Sequence, residues 1–127
     1  MKHNDFQRTT RVGRTVLRVL SELLQTDISD PRLRGVVLTE VSLANDLKSG
    51  RVYWILLKDQ DEARIAEVSE AFQRAAKHLQ ARLSSVVRMK STPKLRFYYD
   101  HGFGQAQRVH HLLQETGDIP ADDGNTE

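Results

Sequence analysis

The stretch VVLTEVSLANDLKSGRVYWILL, residues 36–57, decides the fold because it holds two strand patterns joined by a turn. Residues 36–43 alternate in polarity, which predicts a half-buried strand. One side of that strand is predicted to hold Val37, Thr39, Val41 and Leu43. Residues 45–50 are rich in turn formers, and residues 52–57 are apolar at nearly every position. Together these segments predict an antiparallel hairpin.

Two helical patterns and a third strand flank this hairpin. Residues 9–25 predict an amphipathic helix with Thr9 or Thr10 as its N-cap. Its apolar stripe consists of Val12, Val16, Val19, Leu20 and Leu23. Residues 61–89 predict a long second helix, and residues 94–99 alternate in polarity as a strand. The order helix, strand, strand, long helix, strand predicts an α+β fold in which the helices cover one face of a three-stranded sheet.

Charge is distributed unevenly along the 127 residues, whose formal net charge is +2. All 19 Lys and Arg residues lie within residues 1–113, together with 12 acidic residues, which gives that segment an excess of seven positive charges. Such an excess attracts polyanions, including RNA. Residues 115–127 carry five acidic residues and no base, and they hold too little apolar surface to fold. We therefore predict one domain over residues 1–114 and a disordered acidic tail over 115–127.

Several protein classes are excluded by what the sequence lacks. Without cysteine, neither a disulfide framework nor a thiolate metal site is possible. No apolar run approaches the roughly 18 residues that a membrane span requires. The polar start MKHNDF is not followed by the hydrophobic segment of a signal peptide. These features predict a cytoplasmic protein without a membrane partner.

Motifs for catalysis are missing as well. The sequence has no phosphate-binding glycine motif and no GxSxG nucleophile motif. Asp59 and Asp61 precede the long helix, where helix capping explains them. The one cluster of metal-ligand residue types is Asp100, His101, His110 and His111. Adjacent histidines on a helix point about 100° apart, which disfavours a shared ion. We predict no catalytic residue, metal or cofactor, and a small hydrolase or metal enzyme built on that cluster remains an alternative.

Basic and aromatic residues are interleaved on the second and third strands. The residues concerned are Arg51, Tyr53, Lys94, Arg96 and Tyr98. Such a mixture on one sheet face is typical of proteins that stack RNA bases. Packing in the core or at its rim explains Tyr53 equally well.

Four segments, in order, resemble the ribosome-binding factor A family, and the resemblance covers about residues 8–113. They are RV at 11–12, ISDPRL at 28–33, TEVSLANDL at 39–47 leading into VY at 52–53, and RMKSTPKLRFYYD at 88–100. The family commonly has an Ala-x-Gly that kinks its long helix. Residues 75–77 read AAK instead, and without the glycine we expect a milder kink.

The resemblance implies a KH-like fold of type II with a long kinked helix and without the GXXG loop of RNA-binding KH domains. It implies a factor, not an enzyme, that binds free or immature 30S subunits and assists 16S rRNA processing and late maturation, above all in the cold. The expected partners are the 30S subunit and its 16S rRNA, with GTPase assembly factors as further candidates. We expect the protein to act as a monomer.

Charge and helical periodicity select the residues that we expect to meet rRNA phosphates. They are Arg8, Arg11, Arg14, Arg18, Arg32, Arg34, Lys77, Arg88, Lys90, Lys94 and Arg96. A second alternative is a protein-interaction adaptor that pairs with its partner through a hydrophobic strand edge.

Overall fold

A computed structural model describes residues 2–58 and 60–103 of the chain. In chain order its elements are helix α1 (Lys2–Thr26), a 3-10 helix (Pro31–Leu33), strand β1 (Val36–Leu43), strand β2 (Ser49–Leu56), helix α2 (Glu62–Val86) and strand β3 (Lys94–Tyr99). The predicted acidic tail over 115–127 lies outside the described residues.

The three strands form one mixed sheet in the order β1-β2-β3. β1 and β2 are antiparallel, with Val36 opposite Leu56 and Leu43 opposite Gly50, which confirms the predicted hairpin. β2 and β3 are parallel, so the chain must cross over between them, and α2 forms that crossover. Helices α1 and α2 pack on the same face of the sheet and share one core with it. The predicted α+β class is therefore confirmed.

Alternation along β1 is interrupted by a bulge at Thr39. The pairing with β2 shifts at this point, so Thr39 has no residue directly opposite. Before the bulge Leu38 is buried in the core and Val37 is 38% exposed, whereas after it Val41 packs against the core. The prediction that Val37 and Val41 share one side is wrong, because the extra residue reverses the alternation. The Thr39 hydroxyl donates a 2.7 Å hydrogen bond to the Asp100 carboxylate.

Helix α1 begins at Lys2, well before the predicted start, so Thr9 and Thr10 lie inside the helix and do not cap it. The predicted apolar stripe is confirmed, since the buried residues of α1 include Val16, Val19, Leu20 and Leu23. Gly13 lies against β1, where an added Cβ would stand 3.0 Å from the Val41 carbonyl oxygen. A glycine inside a helix costs about 0.5–1 kcal/mol relative to alanine. The close approach of the helix to the strand explains its presence here.

Helix α2 is capped by Asp61, whose carboxylate accepts a 2.8 Å hydrogen bond from the Arg64 backbone N–H. This confirms the predicted capping role of Asp61, while Asp59 lies outside the described residues. The helix ends at Val86, three residues earlier than predicted, and Val86 is 51% exposed. The α-helical segment is uninterrupted through residues 75–77, where the kink was expected.

The core lies between the sheet and the two helices, and aromatic rings form its centre. Trp54 is fully buried and Phe72 is 1% exposed. The Phe72 ring stacks on Phe97 with a centroid distance of 4.6 Å and an interplanar angle of 6°, and its centroid lies 5.6 Å from that of Trp54. Aliphatic side chains surround the rings, among them Leu20, Leu56, Leu79 and Leu83. Strands and helices are thus held by one continuous apolar cluster.

Candidate nucleic-acid interface

The four arginines predicted on α1 are exposed. Arg8, Arg11 and Arg14 form no ion pair with any acidic side chain of residues 7–58 or 60–103. Arg18 lies 3.6 Å from Glu22, one turn later, and both side chains are 64% exposed. Exposed pairs of this kind contribute only about 0–1 kcal/mol. The guanidinium groups of all four arginines are therefore accessible to an external anion.

Arg32, in contrast, is held by carboxylates of the protein itself. Its Nε and Nη2 donate to the two carboxylate oxygens of Asp30 at 3.1 and 2.8 Å, and Glu70 lies 3.8 Å away. The hydrogen-bonded Arg32 guanidinium lowers the pKa of Asp30, and the Asp30 carboxylate raises the pKa of Arg32. A phosphate would have to compete with this two-pronged pair. The neighbouring Arg34 side chain is exposed and has no ion pair with a described residue.

Arg64 has a positioning role that sequence reasoning missed. Its guanidinium donates to the backbone carbonyl of Arg32 at 2.8 Å and to that of Arg34 at 3.1 Å. These two bonds fasten the loop before β1 to the first turn of α2. A basic residue in a first helical turn resembles an ordinary surface charge in sequence, so only the folded structure identifies this role.

The basic residues of α2 and of the segment after it differ in whether they form an ion pair within the protein. Lys77, Arg88 and Lys90 are exposed and form no ion pair among the described residues. Arg82 instead donates through Nε to the Asp27 carboxylate at 2.6 Å, which links α2 to the end of α1. The hydrogen bond from Arg82 is the main cause that lowers the pKa of Asp27, and His78, 3.4 Å from the same carboxylate, adds to it.

These carboxylates predict how stability depends on pH. The pKa values of Asp27 and Asp30 are lowered from their ordinary value of 3.8, so each favours the folded state in its charged form. Their contribution is fully present above that value and is lost as the pH falls through the lowered pKa values. We expect the free energy of unfolding to decline between about pH 5 and pH 2 in urea titrations followed by Trp54 fluorescence.

The variant Asp27→Asn provides the control for this pH dependence. It removes the titrating carboxylate, so the protonation that breaks the Arg82 pair can no longer occur. Its free energy of unfolding should therefore fall less steeply with acid than that of the wild type. An acid decline equal to that of the wild type would mean that Asp27 does not contribute.

Lys94 and Arg96 lie on the outer face of the sheet, which is the face turned away from the helices. The parallel pairing of β2 and β3 places Arg96 beside Arg51 and Tyr98 beside Tyr53. The centroids of the two tyrosine rings are 6.0 Å apart. The structure therefore gathers five residues on one surface, which we call the sheet platform: Arg51, Tyr53, Lys94, Arg96 and Tyr98.

The eleven predicted residues do not form one patch. The bases of α1 and Lys77 of α2 belong to the helical layer, whereas Lys94 and Arg96 lie on the opposite side of the sheet. Arg14 also lines a concavity of about 520 Å³ between α1 and the free edge of β1. The positive surface therefore extends over more than one side of the molecule.

Two other predicted features can be compared with the structure. Among residues 2–58 and 60–103, no three acidic or histidine side chains converge as a metal site would require, and His110 and His111 lie outside these ranges. None of the helices within the same ranges combines the length and apolarity needed to cross a membrane.

Comparison with known proteins identifies the family. The sequence profile described as Ribosome-binding factor A matches residues 8–113. The chain belongs to the ribosome-binding factor A family. A ribosome-binding factor A from Nitrosomonas eutropha is 35% identical over 111 residues, which cover 87% of this chain and 93% of the relative. The family assignment made from the four sequence segments is confirmed.

Solved structures of ribosome-binding factor A share the fold. The crystal structure of the Thermus thermophilus protein is 27% identical, has a TM-score of 0.63, and the match covers 72% of this chain and 93% of that one. Coordinates of a Thermus thermophilus ribosome-binding factor A were also fitted into a cryo-EM map of its complex with the 30S subunit. That match has 28% identity and a TM-score of 0.60, and it covers 73% of this chain and 96% of the other. The predicted KH-like class is consistent with these likenesses.

Proposed function

We propose that this chain binds free or immature 30S subunits and assists 16S rRNA processing and late subunit maturation, above all in the cold. The observation that carries the proposal is the match to the Thermus thermophilus ribosome-binding factor A that was fitted into a 30S complex. The family match over residues 8–113 extends the argument to nearly all of the predicted domain. In this proposal the protein acts in the cytoplasm as a monomer, without catalysis or cofactor, alongside GTPase assembly factors.

Electrostatic contacts with phosphates would position the protein on rRNA, and RNA shape would provide most of the selectivity. The exposed lysines and arginines without a strong ion-pair partner inside the protein are the best candidates for these contacts. We assign the role to Arg8, Arg11, Arg14, Arg18, Arg34, Lys77, Arg88, Lys90, Lys94 and Arg96. Arg32 would contribute mainly by holding the loop, because Asp30 occupies its guanidinium. The domain over 1–114 would carry the binding, and the acidic tail over 115–127 would stay outside the interface.

Sedimentation of a cell lysate tests the proposed function directly. The protein should co-migrate with free small subunits in low salt and be absent from translating ribosomes. Absence from the small-subunit fraction, even in dilute salt, would overturn the proposal. Pull-down of a protein partner that survives nuclease treatment and high salt would instead favour the adaptor hypothesis.

Charge reversal on α1 should separate binding from folding. The double variant Arg11→Glu with Arg14→Glu is expected to weaken binding to purified 30S subunits roughly 10- to 100-fold, because two phosphate contacts are lost. Its thermal midpoint should stay close to that of the wild type, since both side chains are exposed. Binding is measured by fluorescence anisotropy, and unfolding by the signal of Trp54.

The matched control reverses two exposed lysines outside the proposed contact set, Lys48→Glu with Lys58→Glu. It changes the net charge by the same amount, so it reports the effect of long-range attraction alone. Equal loss of affinity in both double variants would contradict a specific role for α1. An unfolded Arg11/Arg14 variant would show that these arginines serve the fold.

A further inference from the structure

The sheet platform is built from cross-strand neighbours with similar chemistry. Arg51 and Arg96 are directly paired in the β2–β3 register, as are Tyr53 and Tyr98. The two phenol rings are tilted by 35° with centroids 6.0 Å apart. Lys94 continues the basic row beside Ser49 at the end of the sheet near the hairpin turn. A row of cations therefore runs beside a pair of aromatic rings on one open surface.

This arrangement is poorly explained by stability. Arg51 and Arg96 are like charges on adjacent strands and repel each other. No described acidic residue lies within 4 Å of the charged groups of Arg51, Arg96 or Lys94. The Tyr98 side chain is 41% exposed, so much of its ring does not contribute to burial. The core packs on the other face of the sheet. Within the platform, a hydrogen bond with the Tyr53 hydroxyl raises the pKa of Arg51, so this guanidinium stays charged. An external ligand with negative charges and flat apolar rings would match these cations and the exposed tyrosine surface.

The shape of the surface supports the same conclusion. Two adjoining concavities, of about 550 and 470 Å³, lie along the platform, and both are bordered by Arg51 and Tyr98. Glu40 lies opposite Tyr53 on β1, where its carboxylate would repel phosphate. The favourable region is therefore confined to β2 and β3, a strip that suits a single strand of nucleic acid.

We propose that the sheet platform binds single-stranded RNA, with unpaired bases stacking on Tyr98 and Tyr53 and phosphates meeting Arg51, Arg96 and Lys94. Stacking on tyrosine requires a free base face, which a continuous A-form duplex does not offer. An acidic peptide would satisfy the cations but would leave the rings without a stacking partner. The proposal rests on the proposed rRNA function and specifies one of its contact surfaces as a reader of unpaired nucleotides.

The test compares single-stranded and duplex RNA with the full-length protein. A fluorescently labelled oligouridylate and a stable RNA hairpin with a minimal loop are titrated with the wild type and with Tyr98→Ala. Loss of one stacking ring should weaken oligouridylate binding roughly 5- to 150-fold. Tyr98→Phe keeps the ring and should bind within about twofold of the wild type, and the hairpin affinity should not respond to either substitution. Trp54 fluorescence verifies that each variant is folded.

Each remaining outcome has a definite consequence. Unchanged oligouridylate binding by folded Tyr98→Ala would contradict the proposal that the sheet platform binds RNA. The proposal would also fail if polyglutamate competed as effectively as unlabelled oligouridylate. Co-sedimentation with 30S subunits is measured on the same wild-type protein. If the wild type sediments with the subunit but shows no tyrosine dependence, only the platform fails. If tyrosine-dependent RNA binding is found without sedimentation, the proposed function fails and the platform stands.

Discussion

Binding to free 30S subunits is expected to weaken by roughly 10³- to 10⁵-fold when salt rises from about 50 to about 200 mM, if about six to ten phosphates are neutralised on duplex RNA. The cause is counterion release. Each phosphate that contacts a lysine or arginine sets free condensed cations, and added salt opposes that release. The exposed lysine and arginine side chains of α1, α2 and β3 are numerous enough for contacts on this scale. Equilibrium anisotropy titrations across this salt range measure the slope of log Kd against log salt.

The Arg11→Glu, Arg14→Glu variant calibrates that slope. If each arginine meets one phosphate, its salt dependence should be shallower than that of the wild type by about two contacts. Contacts to single-stranded RNA lower the slope per phosphate, so the change in slope per lost contact indicates whether these two arginines meet paired or unpaired RNA. Affinity that hardly responds to salt would contradict phosphate contacts as the main source of binding.

Phe72→Ala is expected to reduce the free energy of unfolding by about 3–5 kcal/mol. Phe72 is 1% exposed, stacks on Phe97 and contacts Trp54, so its removal leaves a cavity where α2 meets the sheet. The loss combines the transfer energy of the ring with the cost of that cavity. Urea unfolding followed by Trp54 fluorescence measures the change.

Phe103→Ala is the matched control for this substitution. Phe103 is 39% exposed, so the same chemical change should cost far less there, on the order of 1 kcal/mol or below. A comparable loss at both positions would show that the aromatic stack is not a special source of stability. A loss below about 1 kcal/mol at Phe72 would mean that the core closes over the missing ring.

Strand positions could be predicted closely because period-two patterns and turn residues are local signals. β1 and β3 have the predicted bounds, at Val36–Leu43 and Lys94–Tyr99. The bulge at Thr39 could not be predicted, since apolar residues occupy both sides of β1 and the choice depends on pairing with β2. The start of α1 was placed too late because polar residues before Thr9 carry no apolar periodicity, although they are helical.

The candidate site was harder to predict than the fold, because charge alone does not tell whether a guanidinium is used within the protein. Arg11 and Arg32 look alike in sequence, yet Arg32 is bound by Asp30 and Arg11 forms no ion pair among the described residues. Arg64 acts on carbonyls that lie about 30 positions earlier in the chain. Such roles depend on tertiary neighbours. The mixture of bases and tyrosines on β2 and β3 was visible in sequence, but their side-by-side register was not.

The parallel pairing of β2 with β3 has a consequence for newly made protein. Arg51 and Tyr53 are synthesised long before Arg96 and Tyr98, and the whole of α2 separates them along the chain. A polypeptide that has not yet emerged beyond α2 can close the β1–β2 hairpin but lacks half of the outer surface. If the sheet platform reads unpaired nucleotides as we propose, this capacity arises only after β3 has been translated, and a fragment that stops before β3 would lack it.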